Sequence, residues 1–224
     1  GPRFGRFRWV PDCCDPISYR RFFNSKEARR RLRNYRKRGL DKRAAAILGF
    51  LNTQDIGGAD VLEVGGGVGD FQVELLKAGA GRAINIELSQ GYEVSAEQLA
   101  EEEGLSDQME RQFGDFVEMQ DQLEPAQIVL LNRVICCYPY MERMMSASVA
   151  KTGRFLALVF PREKRSTKFF IRIGNFWCRV RKVNFRAFVH PVDEIEALAT
   201  SAGLVARHQS RDFIWQSVVF ERVA

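Results

Sequence analysis

Three acidic positions and one glycine cluster stand where a nucleoside ligand could be held. The run Val61-Leu62-Glu63-Val64-Gly65-Gly66-Gly67-Val68-Gly69-Asp70-Phe71 reads as a short buried strand, a turn almost bare of side chains, and the start of a helix. Glycine reaches positive φ and lets a ligand approach the backbone, and a helix start offers free N–H groups. Glu87 stands at the end of the next apolar run, 22 residues after Gly65. The two oxygens of a carboxylate there can accept both hydroxyls of a ribose. Gly114-Asp115-Phe116 sets a further acid at a strand end, and Leu131-Asn132-Arg133 closes a strongly apolar run.

A dinucleotide fingerprint is spaced G-x-G-x-x-G, whereas this turn is spaced Gly65-x-Gly67-x-Gly69 behind an acid. It resembles the E/D-x-G-x-G-x-G signature of class I S-adenosylmethionine-dependent methyltransferases. The resemblance covers residues 61–134 and implies a role for each position. Glu63 would lie near the cationic methionyl end, and Gly65, Gly66, Gly67 and Gly69 would form the turn beneath it. Glu87, followed by Leu88, would take the ribose. Asp115 would accept from the adenine amine, with Phe116 covering the ring. Asn132 and Arg133 would line the methionine end and face the acceptor.

These residues need strands to carry them. Val61–Val64, Ala83–Leu88, Met109–Gly114, Ile128–Val134 and Phe155–Phe160 read as strands. Phe71–Ala78, Ser95–Glu103, Tyr140–Val149 and Val192–Ser201 read as the helices among them. Leu204–Ser210 and Phe213–Arg222 read as a closing antiparallel pair. Such alternation predicts an α/β fold, a seven-stranded, mostly parallel sheet with helices on both faces and its last strand antiparallel. Ligands of such sheets sit outside the carboxyl ends of the strands. Upstream, residues 1–18 read as irregular and Tyr19 to Arg38 as helical, with Ser25 as N-cap and Gly39 as terminator. Asp41 reads as the cap of a helix to Leu51. Residues 1–43 are therefore expected to form a basic helical lid, and residues 44–224 the cofactor-binding Rossmann-like domain, with a substrate insertion at 162–189.

Charge is uneven. Residues 1–43 hold 15 Lys and Arg against 4 Asp and Glu, and residues 162–186 hold 9 against 1, although the whole chain is only +6. Either something anionic sits near both segments, or they are a solvated helix face and a disordered tail. The five cysteines, as Cys13-Cys14, Cys136-Cys137 and Cys178, give neither a disulfide framework nor a C-x-x-C, and two histidines complete no zinc site. No metal is expected, and a reducing, cytoplasmic setting is. No apolar run of about 18 residues predicts a transmembrane helix, and Gly1 to Arg8 carry no signal-peptide pattern.

The acceptor is less legible. No D/N-P-P-Y/F follows the fourth strand and no Pro-Cys nucleophile is present, which argues against base methylation. Ile135 through Pro139, and Phe22-Phe23-Asn24 before Tyr35, resemble stretches of magnesium-protoporphyrin O-methyltransferases. Cys137 replaces the His of that pattern and Phe22 the Tyr, so the substrate is not carried over. What that resemblance implies is a helix over the cofactor lined by Tyr19, Phe23 and Tyr35. His190 could act as a general base or bond backbone, and Tyr138 could position the acceptor or pack in the core. The insertion mixes aromatics with cations, which suits an apolar anionic acceptor, nucleobases or a membrane surface; a hairpin packing its aromatics on the sheet is equally open. Arg172, Trp177 and Arg179 are its candidates for acceptor binding. Transfer of a methyl group from S-adenosylmethionine to a small, partly apolar anion, at oxygen, is the first expectation. A tRNA or rRNA acceptor held by the two basic segments is the alternative, and a non-catalytic scaffold that binds the cofactor is a third.

Overall fold

A computed structural model of the chain describes residues 16–223, with side chains from Tyr19. The expectations placed on residues 1–15, including the Cys13-Cys14 pair, lie outside that range.

Seven strands run β1 Asp60–Val64, β2 Arg82–Glu87, β3 Met109–Phe113, β4 Ala126–Asn132, β5 Thr152–Pro161, β6 Leu204–Arg211 and β7 Trp215–Arg222. They form one sheet in the order β3-β2-β1-β4-β5-β7-β6. The first five pair in parallel, and β7 is antiparallel to both β5 and β6. The expected sheet, with its last strand reversed, is what the chain forms. β4 explains the centre: Ile128, Val129, Leu130 and Leu131 are all fully buried, as a strand covered on both faces requires.

Nine helices surround the sheet among the described residues: α1 Pro16–Phe22, α2 Ser25–Arg38, α3 Lys42–Leu51, α4 Asp70–Lys77, α5 Glu93–Glu103, α6 Phe116–Met119, α7 Met141–Lys151, α8 Arg165–Val180 and α9 Val192–Ser201. On one face, Ile47 and Leu51 of α3 and Phe71, Leu75 and Leu76 of α4 pack on Val61, Ile128 and Phe155. On the other, Met141 and Met145 of α7 and Ile195 of α9 pack on Leu62, Leu131 and Leu158. A third cluster joins Ala28, Leu32 and Tyr35 of α2 to Val73 of α4 and Leu99 of α5. The i, i+4, i+7 spacing of the α2 residues makes one apolar stripe, and that stripe ties the N-terminal helices to the body.

Four local readings are corrected. α1 starts at Pro16, inside the stretch read as irregular, and ends at Phe22, and α2 is capped by Asn24, not Ser25. The Asn24 side chain accepts from Lys26 N–H and Glu27 N–H and donates to the Arg21 carbonyl at 2.7 Å. It thus serves the end of one helix and the start of the next. β4 stops at Asn132 rather than Val134, because Arg133 turns into the left-handed region with φ 63°. The 164–189 segment is not a hairpin: α8 is one helix followed by an irregular return. Its aromatics Phe169, Phe170, Phe176 and Trp177 do not pack on the sheet but are exposed, while Phe185 is buried. Asp41 does cap α3, accepting from Arg43 and Ala44.

Asn24→Ala should lower stability by about 1 kcal/mol, while Ser25→Ala should change it by less than about 0.5 kcal/mol. Urea unfolding of the two variants checks this; the reverse ranking would return the cap to Ser25.

Candidate functional site

The turn after β1 is fixed by side chains of β2. Gly66 N–H donates to Asn85 Oδ1 at 3.0 Å, and Gly67 N–H donates to Glu87 Oε2 at 3.1 Å. Glu87 Oε1 accepts from Ser89 N–H at 3.1 Å. The carboxylate is therefore buried and held from two sides by backbone, with its remaining lone pairs free to accept from a ligand. Burial pushes Glu87 up from the usual carboxylate range, and the Ser89 and Gly67 amides oppose that rise. Gly65, Gly67 and Gly69 all have positive φ. A Cβ on Gly67 would meet Tyr92 Cε1 at 3.2 Å and Arg31 Nη1 at 3.3 Å, so only a bare backbone leaves this surface open.

Glu63 lies beneath the turn. It is fully buried, neither oxygen has a hydrogen-bond partner, and a Cβ on Gly66 would collide with its carboxyl group. Glu63, Asn85 and Arg111 stand in register across β1, β2 and β3, one polar row under the glycines. Burial pushes Glu63 up to about 8; Asp70 adds to the rise, while Arg31 and Arg111 oppose it.

The strand tips open into a cavity of about 920 Å³ roofed by α1 and α2. Glu27, Arg31, Asn34 and Arg38 recur at helical spacing on its upper wall. Arg31 bridges Asp70 of α4 at 3.4 Å, and Asp70 holds the guanidinium more firmly protonated than usual. At the floor, Asp115 Oδ1 accepts from Val117 N–H at 2.9 Å and Oδ2 accepts from the Tyr138 hydroxyl at 3.3 Å. Burial raises both groups. Asn132 is buried at the end of β4 with its Oδ1 unpartnered. Beyond it, Arg133 bridges Asp41 at 3.4 Å and Arg43 bridges Asp212 at 2.7 Å. Both guanidiniums lie over the Trp215 ring, Arg43 at 5.6 Å and Arg133 at 6.0 Å from its centroid. Opposite, Phe185 stacks on Phe22 at 4.4 Å and meets Tyr19 and Phe23 edge-on.

Of the residues singled out in the sequence, Gly65, Gly67, Glu87, Leu88, Asp115, Phe116, Asn132, Arg133, Tyr138, Tyr19, Phe23 and Tyr35 line this one cavity. Glu63 and Gly66 lie behind the wall, and Gly69 starts α4. Tyr35 reaches the cavity but binds its hydroxyl to Glu74 of α4 at 2.5 Å. His190 does not line the cavity. Its Nε2 lies 3.1 Å and 3.0 Å from the Ile135 and Tyr138 carbonyls, so it is a donor that locks the 135–138 turn, and burial holds the ring below its usual range. Arg172, Trp177 and Arg179 lie on α8, away from the cavity. Sequence reasoning passed over Arg31, Tyr92 and Trp215. The i, i+4 spacing of Glu27 and Arg31 was a usable signal; nothing local marked Trp215. Among the described residues, no group of three or more His, Cys, Asp or Glu could hold a metal ion.

The strand order with a reversed β7, and a glycine turn leaving β1 beneath a carboxylate on β2, define the class I S-adenosylmethionine-dependent methyltransferase fold. Among solved structures the chain is similar to magnesium protoporphyrin IX methyltransferase from Synechocystis PCC 6803 with bound SAH: TM-score 0.72, 19% identity, covering 93% of this chain and 100% of that one. The same enzyme with bound SAM gives 0.71 and 18%, covering 96% and 100%. An O-methyltransferase family 2 protein from Planctomyces limnophilus, in complex with apigenin, gives 0.63 and 17%, covering 89% and 62%. No family model matches the chain, and no curated relative matches it. At these identities the likeness is one of fold.

The raised Glu63 has a measurable consequence. Between the usual carboxylate range and about pH 8, the folded chain keeps a proton that the unfolded chain has released. Stability from this group is full at low pH and falls as pH rises towards that value. Glu63→Gln should remove a fall in stability of roughly 3–4 kcal/mol between about pH 5 and pH 8. Urea unfolding across that range checks it, and an unchanged slope would mean that Glu63 ionises normally.

Proposed function

We propose that the chain is an S-adenosylmethionine-dependent methyltransferase whose acceptor is a small, partly apolar anion, methylated at oxygen. The observation that carries this reading is the buried Glu87 carboxylate, gripped by two backbone amides and turned towards the cavity beside a turn without side chains. The residues fit the cofactor in kind and place. Glu87 would take the ribose hydroxyls, and Asp115 with Phe116 the adenine. The glycine turn, the start of α4 and Arg31 would take the amino-acid tail, whose carboxylate suits a guanidinium. The cofactor, when bound, supplies an electrophilic methyl group on a sulfonium.

The rest of the cavity suits an acceptor with two unlike ends. Tyr19, Phe22, Phe23 and Phe185 make an apolar corner, and Arg43 and Arg133 beside Trp215 make a cationic one. A cation beside a hydroxyl or carboxyl favours its ionised form, which is the nucleophile this reaction needs. Those guanidiniums could therefore prepare the acceptor oxygen without a dedicated base, the part once open to His190. Asp41 and Asp212 orient them, and the roof of α1 and α2 excludes water from the attack. We further propose that residues 1–43 act as the lid of a cofactor domain spanning 44–224. The alternative, an RNA acceptor, is favoured by the exposed Arg29, Arg33 and Lys37 of α2 and predicts steeply salt-dependent RNA binding.

Calorimetry with S-adenosylhomocysteine tests the cofactor site. Glu87→Ala should weaken binding by about 1–3 kcal/mol, and Gly67→Val should abolish it. Wild-type affinity in both variants would remove the assignment. In turnover with aromatic carboxylates and phenols, Arg133→Met should lower kcat/KM roughly tenfold for anionic acceptors and little for neutral ones. Equal losses for both would discard the cationic corner.

A further inference from the structure

α8 has three faces, and the fold uses one of them. At 3.6 residues per turn, Thr167, Ile171, Asn175 and Cys178 point inwards, and all are buried or half-buried. Asn175 fastens this side: its amide donates to the Ala187 carbonyl at 2.8 Å and its oxygen accepts from Ala187 N–H at 2.8 Å. A second face carries the exposed Arg165, Lys168, Arg172 and Arg179. The third carries Phe169, Phe170, Ile173, Phe176, Trp177 and Val180, spaced i, i+1, i+4, i+7, i+8, i+11, and each is 39–61% exposed. Phe213 extends this patch: its ring lies 6.2 Å from that of Phe170, and it is exposed at the turn whose Asp212 and Trp215 line the cavity. A contiguous apolar surface of this kind marks an interaction site.

We infer that α8 docks the protein on the surface of an anionic lipid bilayer, its aromatic face in the headgroup–acyl boundary and its arginine face among the lipid phosphates. Charge selects this occupant. Residues 162–186 hold 9 Lys and Arg against 1 Asp or Glu. A second copy packed on this face by a two-fold would bring like charges together. RNA would satisfy the cations but leave six aliphatic and aromatic side chains of one contiguous face without an apolar partner. An anionic bilayer satisfies both faces at once, which is the design of helices that lie in the interface plane. α8 is 16 residues long, about 24 Å, and no helix among the described residues is long and apolar enough to cross a membrane, so the helix lies on the surface. Phe213 then brings the cavity mouth towards the lipid.

The test uses the full chain with vesicles of phosphatidylcholine alone or with about a third phosphatidylglycerol. Wild type should bind the anionic vesicles at least roughly tenfold tighter than the neutral ones, and less tightly in high salt. Phe176→Ser combined with Trp177→Ser should weaken that binding roughly tenfold. Arg172→Glu combined with Arg179→Glu should remove the preference for phosphatidylglycerol. Melting temperatures should stay close to wild type, because all four side chains are exposed. Should a double variant fail to fold, brominated lipid decides the matter: it should quench tryptophan emission in wild type, and markedly less in the conservative Trp177→Phe. No binding to anionic vesicles, or binding and quenching indifferent to these changes, overturns the proposal. So does a dimer that Phe176→Ser with Trp177→Ser dissolves, which would make the face a self-interface, or RNA binding that depends on Trp177.

Discussion

Two consecutive amides of the β1 turn donate to two side chains of β2, and the site is organised around that pair of hydrogen bonds. Asn85 and Glu87 are two residues apart, so their side chains leave the same face of β2. The parallel register that sets Glu63 opposite Asn85 brings each within reach of one glycine N–H. A one-residue slip of β2 would point both away. The same contact shapes the turn and aims the carboxylate, so backbone geometry and ligand chemistry cannot be altered separately here. The buried row of Glu63, Asn85 and Arg111 is the cost of this arrangement: polar groups under the turn, several of their atoms unpartnered, where an ordinary α/β core would be apolar.

Above this floor the cavity is closed by a segment that makes no strand. α2 is held through an apolar stripe on α5 and through Tyr35 on Glu74 and Arg36 on Glu102, and the link between α1 and α2 through the Phe23 carbonyl, which accepts from the Ser89 hydroxyl. The last of these comes from the residue that also donates its amide to Glu87. Roof and carboxylate thus share Ser89. The cationic corner is assembled from the α3 start, the end of β4 and the start of β7. Arg43, Arg133 and Trp215 meet only because β7 is inserted beside β5, which sets Trp215 opposite Pro161.

What could be read in advance follows from how local each signal is. The strands, the glycine turn, and Glu87 and Asp115 at strand ends were legible because period, turn chemistry and acid spacing are written within a few residues. The reversed last strand was legible as the second of two runs that close the chain without a helix between them. Asn24 was passed over for Ser25 because both are good caps and only the break after Phe22 decides between them. The aromatics of 164–189 were open both to burial and to display, and the fold decides because the helix spends its inner face on Thr167 and Asn175. His190 was open both as a base and as a partner of backbone, and only the fold shows two carbonyls meeting its Nε2. Trp215 was illegible as a site because its partners Arg43 and Arg133 lie far back in the chain, and Arg31, whose partner Asp70 lies about forty residues on, left only its helical spacing with Glu27 as a signal.

Arg133 holds a backbone conformation that L side chains seldom adopt, with φ 63° and its N–H bound to the Val159 carbonyl. Glycine would rest there without strain. A chain shaped for stability alone would drift towards glycine at this position and gain ease in the turn as it lost its grip on the ring of Trp215. Ease of the backbone and charge at the cavity wall therefore pull in opposite directions at this one residue, and the fold resolves the conflict in favour of the charge.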